Sequence, residues 1–370
     1  MIGLTKGRAG KKSANALNVE SNPSISLEMQ RINPAEDSKW NTLLAAWPEH
    51  SFFHTTEWAK VLTGTYGYTP FYFGAGGTDG QVSWLPLMEV DSWLTGRRGI
   101  SLPFTDDCEP LCTEAGTFQK IFRDAVEFGK LRRWKYIECR GGRELFHEVP
   151  ASLSFYGHSL DLTAREDELF ARLDSSVRRA IRKAERAGVT VEVSQSQEAV
   201  RVFYALQCQT RKKHGLPPQP FRFFLNIHRH ILSHDMGLVI LARHKGRPVA
   251  GSVYFNFRDK AIYKFGASDE THQDLRGGNL VMWTAIKEFV LRGVKRLDFG
   301  RTSMGNEGLR KYKLGWGTAE HNIEYVKFDL KKNEFVTGSD ETSGWHTQVF
   351  RRMPCLLSRA VGAALYKHWA

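Results

Sequence analysis

The chain is short of cysteine, of long apolar runs and of acid. Its five cysteines, Cys108, Cys112, Cys139, Cys208 and Cys355, are odd in number and irregularly spaced among 370 residues. That excludes a disulfide framework and fits a reducing compartment. Cys108 and Cys112 stand apart from other soft ligands, which makes them packing residues rather than zinc ligands. His230 and His234 have i,i+4 spacing but no acidic base between them and no third ligand, so no metal centre is expected. No window approaches the roughly 20 apolar residues that a membrane span requires. The N-terminus carries cations without a secretory apolar core, so the expected location is the cytoplasm. The absence of a Gly-x-Ser-x-Gly elbow and of a Walker loop excludes two large enzyme classes. Against 40 acidic residues stand 52 lysines and arginines, a formal charge of +12 and a pI near 9.4. A surplus of this size favours an anionic partner: a phosphorylated substrate, nucleic acid or a membrane surface.

What is present divides into two units. The length exceeds a usual single core. Residues 1–23 are polar, basic and aperiodic, a disordered leader. Residues 24–150 mix strands with helices at Trp40–Trp47 and Phe118–Arg133, and include a hairpin around Gly76–Gly80. Residues 151–330 repeat that order, with one long helix over Glu166–Gly188 and further strands at Gly237–His244, Val249–Arg258 and Lys260–Ala267. Residues 331–370 form a linker and an amphipathic helical tail, which packs on the protein or adsorbs to anionic lipid through flanking Arg, Lys and Trp. The fold class is α+β, and the repeated order suggests a duplication.

The stretch Gly293–Gly317 concentrates the chemistry. A short strand, Arg296–Phe299, runs into a loop containing Gly300, Arg301, Gly305 and Gly308. A basic turn, Arg310–Lys313, follows, and then Leu314-Gly315-Trp316-Gly317. Glycines interleaved with cations bend a backbone around an anion, or else form a surface loop with solvated charges. Arg178 and Arg182 share a helix face at i,i+4 and, with Lys183, can grip a pyrophosphate or an RNA backbone. Asp174, Glu185 and Arg186 nearby leave a solvated charged face as the alternative.

The order and spacing of several motifs make the chain resemble the FemAB-like branch of the GNAT acyltransferase superfamily over roughly residues 50–330. These are Phe53-His54…Trp58, Arg178–Ala184…Gly188, Thr210-Arg211…His214-Gly215, Val249-Ala250-Gly251, Gly277-Gly278-Asn279…Trp283, Asp298-Phe299-Gly300-Arg301 and Tyr312-Lys313…Trp316-Gly317. The Trp345…Met353-Pro354 stretch is similar to tails of FemAB-like proteins associated with exosortase and exopolysaccharide gene clusters. The resemblance implies two tandem GNAT-like domains, each a mixed, mostly antiparallel sheet flanked by helices, plus the C-terminal amphipathic helix. It implies acyl transfer to an amine; better-known members move amino acids from aminoacyl-tRNA to the peptide stem of a peptidoglycan precursor. Lys313 then stabilises the developing oxyanion, Tyr312 holds it, and Asp298 orients an amine or anchors the loop. Lys60, Arg178, Arg182, Lys183, Arg276, Asn279, Arg301 and Trp316 make up the substrate-binding set.

No tightly bound cofactor is implied, and the acyl donor is either aminoacyl-tRNA or acyl-CoA. The segment Gln273–Asn279 departs from the coenzyme-A loop spacing, which turns the balance away from CoA. The implied partners are an anionic or phosphate-linked cell-envelope precursor, tRNA as donor, and the inner membrane surface touched through the C-terminal helix. Two other readings compete. One is a CoA-dependent N-acetyltransferase for a sugar or small amine; the other is a non-catalytic RNA- or membrane-binding protein.

Overall fold

A computed structural model describes residues 29–76, 81–338 and 346–369. The expected leader, the hairpin tip 77–80 and much of the linker lie outside the described residues. In the first half, β1 (Met29–Ile32), α1 (Trp40–Leu44), α2 (Thr56–Tyr66), β2 (Thr69–Gly76), β3 (Val82–Val90), β4 (Arg98–Ile100), α3 (Ala115–Leu131) and β5 (Tyr136–Arg140) follow one another. The second half holds β6 (Leu153–Asp161), α4 (Glu166–Arg172), α5 (Ser175–Arg186), β7 (Thr190–Ser194), α6 (Gln197–Lys213), α7 (Phe221–His230), β8 (Gly237–His244), β9 (Arg247–Phe257), β10 (Lys260–Ser268), α8 (Gly277–Leu291), β11 (Arg296–Ser303), α9 (Glu307–Leu314) and β12 (Ala319–Asp329). The short β13 (Glu334–Phe335) and helices α10 (His346–Arg352) and α11 (Cys355–Leu365) close the chain.

Local chemistry explains most boundaries. Thr55 caps α2 by accepting from the Trp58 amide, and Ser196 caps α6 through Ala199. The single helix expected over Glu166–Gly188 is instead two. Leu173 is extended and buried, and the Asp174 carboxylate accepts from the Ser176 amide to start α5 afresh. A side chain that caps a helix competes with its interior, so the aspartate breaks a pattern whose apolar periodicity alone looks continuous. The basic turn expected at Arg310–Lys313 is likewise helical. Asn306 accepts from the Leu309 amide and opens α9.

The two halves do not form two separate sheets. The thirteen strands make one sheet in the order β1-β2-β3-β4-β5-β12-β6-β11-β10-β9-β8-β7, with β13 beside β12. Strand β12 comes from the end of the second half, yet it pairs antiparallel with both β5 and β6. Pairing is mostly antiparallel, with parallel exceptions at β4–β5 and β10–β11. One aromatic core also spans the halves: Trp58 of α2 lies 6.0 Å from Phe223 and 5.8 Å from Phe255, and Phe52 lies 4.8 Å from Phe255. No helix among the described residues is long and apolar enough to cross a membrane.

Shared strands and a shared core leave neither half an independent unfolding unit. Denaturation followed by far-ultraviolet circular dichroism and by tryptophan fluorescence is expected to give one coincident transition. Tyr325→Ala, which removes a buried ring from β12, is expected to destabilise both signals together by about 3–5 kcal/mol; two separated transitions would contradict the shared architecture.

Candidate active site

The site grows from the place where two parallel strands part. β10 and β11 pair only through Lys260–Ile262 against Arg296–Asp298. Beyond that, β10 is irregular between Tyr263 and Phe265, and β11 bulges between Asp298 and Arg301. Gly300 sits in the bulge at φ 69°, a left-handed conformation that suits glycine. A Cβ there would also lie 3.1 Å from Asp106 Oδ2. The carbonyls of Gly300 and Arg301 accept hydrogen bonds from Lys313 Nζ at 2.8 and 3.0 Å. Lys313 is only 3% exposed. Burial pulls its ammonium down to a pKa of about 8, with Asp106 opposing.

On one side of α9 lies a basic cleft of about 990 Å³. Its cations are Arg172, Arg179, Lys183, Arg276 and Lys311, set against Asp174 alone among the carboxylates, and Tyr312 and Asn279 complete its inner wall. A smaller recess of about 190 Å³ continues under it, where Arg276, Gly277, Gly278 and Asn279 open α8. Arg276 has φ 58°, which turns the chain sharply into that helix. A helix N-terminus beside arginine attracts anions.

Where the two halves meet lies a second cleft of about 450 Å³ lined by Asp106, Asp107, Glu109, Asp298, His321 and Lys260 among others. Asp106, Asp107 and Glu109 come from a strained stretch in which Leu102 and Phe104 both take positive φ, 57° and 61°, a conformation costly for residues with side chains. Several contacts hold it. His54 Nε2 meets the Glu109 carbonyl at 2.8 Å, Lys264 Nζ donates to Phe104 O and Asp106 Oδ2, and Tyr325 Oη donates to Asp106 O at 2.7 Å. Burial pushes the Asp107 carboxyl well above its ordinary value, and Glu109 and Asp298 push the same way. Burial also raises Asp298, although Arg296 opposes at 2.9 Å. Asp106 differs: burial works against its charge, but Lys264 and Arg301 keep it below the usual carboxylate range. Burial lowers His321, and Arg296 adds to it.

The structure distributes the residues expected from the sequence as follows. Tyr312, Lys183, Arg276 and Asn279 line the basic cleft and Asp298 the acidic one, while Lys313 lines neither but bonds through Nζ to Gly300, which lines the acidic one. Arg178 and Arg182 turn the other way: Arg178 donates to Ala171 O and Arg182 stacks on Phe170, so Arg179 accompanies Lys183 in the cleft. The break at Asp174 sets the phase of α5, which is why the expected face was off by one residue. Arg301 lies over Phe155 and donates to Tyr325 Oη. Trp316 is fully enclosed near Phe299 and Tyr312, where it packs rather than faces a cavity. Lys60 lines neither cleft. Asp106, Asp107 and Glu109 were missed by the sequence reading; the acidic run in Thr105-Asp106-Asp107-Cys108-Glu109 was its visible trace.

Residues 171–320 match the family described as an acetyltransferase (GNAT) domain. Among solved structures, FemX is similar with a TM-score of 0.65 and 15% identity, covering 80% of this chain and 97% of FemX. L-PGS from Bacillus licheniformis is similar with a TM-score of 0.51 and 11% identity, over 89% of this chain and 98% of that one. A tandem GNAT protein from the clavulanic acid biosynthesis pathway has a TM-score of 0.50 and 13% identity, over 82% and 99%. No curated protein matches. The chain shares its fold with FemX and with the tandem GNAT protein, and its GNAT match lies within the second half.

Replacing Lys313 with methionine leaves two buried carbonyls without their donor and is expected to cost about 1–3 kcal/mol. The folded protein releases the Lys313 proton near pH 8, before an unfolded lysine would at about 10.4. The unfolded state therefore binds more protons in that window, and stability relative to Lys313→Met rises with pH there. Denaturation midpoints of both proteins across that range measure the difference; a flat difference would refute the lowered pKa.

Proposed function

We propose that this enzyme transfers an aminoacyl or acyl group from a donor with a polyanionic carrier to an amine on a cell-envelope or exopolysaccharide precursor. The observation that carries the reading is the pair of oppositely charged clefts, with Tyr312 lining the basic one and its buried neighbour Lys313 bonded to Gly300, which lines the acidic one. Arg179, Lys183 and Arg276 seat the phosphates of the carrier. Asp107, Glu109 and Asp298 draw an ammonium group into the acidic cleft, and the raised carboxyl of Asp107 takes its proton.

The free amine nitrogen then attacks the donor carbonyl carbon, forming the C–N bond and a tetrahedral oxyanion. Lys313 has three N–H groups, of which two serve Gly300 and Arg301; the third and its positive charge stabilise the oxyanion. Collapse breaks the bond to the leaving oxygen or sulfur, which receives the proton held by Asp107, while the attacking nitrogen, cationic in the tetrahedral adduct, releases its second proton to solvent. Aminoacyl-tRNA is the donor we favour, because the basic cleft is wide and the Gln273–Asn279 spacing departs from the coenzyme-A loop. Acyl-CoA is the second reading, supported by the α8 N-terminus beside Arg276. The reaction is placed at the cytoplasmic side of the envelope, where such precursors and tRNA coexist.

Calorimetry with acyl-CoA and with aminoacyl-tRNA separates the donors. Arg179→Ala/Lys183→Ala is expected to raise the donor KM at least about tenfold with little change in kcat, whereas Arg178→Ala/Arg182→Ala leaves it near wild type. A rate that needs the Lys313 charge falls as pH rises through about 8. In Lys313→Arg that alkaline limb disappears, because arginine stays charged. Full activity in a folded Lys313→Met protein would sink the role given to this lysine.

A further inference from the structure

The turn between β3 and β4 carries Trp93 and Leu94, 85% and 51% exposed. It is not a loose turn. Ser92 Oγ lies 2.8 Å from His368 Nδ1, Thr95 Oγ1 donates to His368 O, and Arg98 donates to the same carbonyl at 2.9 Å. The Trp93 ring sits 5.5 Å from the His368 ring. The next residue in the tail, Trp369, is 45% exposed. Hydrogen bonding between two distant parts of the chain therefore fixes two tryptophans and a leucine on the surface.

Helix α11, earlier in the same tail, also presents apolar residues to solvent. That helix turns Ser358, Gly362 and Tyr366 inward, and a Cβ on Gly362 would lie 2.1 Å from Pro218 O. Its outward face, set by i, i+4, i+7 spacing, is Leu356, Ala360, Ala363 and Lys367, with Leu357 also exposed. Outward apolar residues on a helix already docked through its other face have no core left to join. Around this surface the carboxylates are matched: Asp91 pairs with Arg97 and Glu89 with Arg132. Lys135, whose stem packs on Gly96, together with exposed Arg359 and Lys367, leaves a positive surplus.

We propose that this face seats the protein on an anionic phospholipid bilayer, with Trp93, Leu94 and Trp369 entering the boundary between headgroups and acyl chains. Tryptophans suit that boundary, apolar residues at a few ångströms' depth supply the hydrophobic gain, and nearby cations meet anionic headgroups. The hydroxyls of Ser92 and Thr95 already bond to His368, so the turn brings few unpaired polar groups into an apolar medium, where each would be costly. The contact is peripheral and salt-sensitive, and it is independent of the transfer chemistry, since neither cleft includes these residues.

The test is co-flotation with vesicles of phosphatidylcholine alone or mixed equally with phosphatidylglycerol, in low and high salt, with bromine-labelled acyl chains as a quencher. Wild type is expected to bind the phosphatidylglycerol vesicles at least about tenfold more tightly than the neutral ones, to lose that advantage in high salt, and to be quenched. Trp93→Ser/Trp369→Ser is expected to weaken binding by about tenfold and abolish quenching, with its unfolding midpoint and activity on a water-soluble amine unchanged. Leu356→Glu, on an exposed position, gives a second reading should the double variant unfold. Absence of vesicle binding by wild type, or binding undiminished in the variants, overturns the proposal. So does a wild-type dimer in sedimentation that the variants dissociate, which would make this face a contact between copies.

Discussion

The structure depends on backbone hydrogen bonding by one strand, β12, to neighbours in both halves. A strand in the middle of a sheet has both edges satisfied, so β12 cannot leave without stripping β5 and β6 at once. Its side chains reinforce the constraint. Tyr325 on β12 bonds the loop carbonyl of Asp106 and receives Arg301 from β11. The acids of the first half are thus held at a fixed distance from the bulge of the second. A cleft between two independently moving domains would not have that rigidity.

From this constraint follows an electrostatic arrangement. Burial raises the proton affinity of Asp107 and Asp298 and lowers that of Lys313. Desolvation penalises every charged form, so acid and base are pushed toward each other's range within one site. Asp106 escapes because Lys264 and Arg301 compensate it, and it stays as the fixed charge that opposes the loss of Lys313's proton. The basic cleft beside α9 gathers five cations against a single carboxylate. Charge is thus separated between two clefts, one lined mainly by cations and the other mainly by carboxylates.

Much of the fold was legible in local pattern. Helix α6 and strand β8 coincide with the expected segments because a Ser cap, a Gly-Leu-Pro-Pro stop and a short continuous apolar run mark them. Tyr312-Lys313 stood out beside glycines; Tyr312 lines the basic cleft, and Lys313 is buried behind it with its Nζ on the Gly300 and Arg301 carbonyls. The two departures in the second half share a cause. Asp174 and Asn306 are polar residues whose caps outweigh the pattern around them, one ending a helix early and one beginning a helix where a turn was read.

The sequence by itself determined the α+β class and the excess of cations, since each rests on composition or on residues close in the chain. Only the tertiary structure decided which cations share a cleft, because one residue of helical phase moves a side chain by 100°. It alone showed that Trp316 packs, that Lys60 stands apart, and that Asp106 and Asp107 lie opposite Asp298. Those carboxylates are about 190 positions from Asp298 in sequence; they meet through the pairing of β12 and the strain of a loop, and no local propensity encodes either.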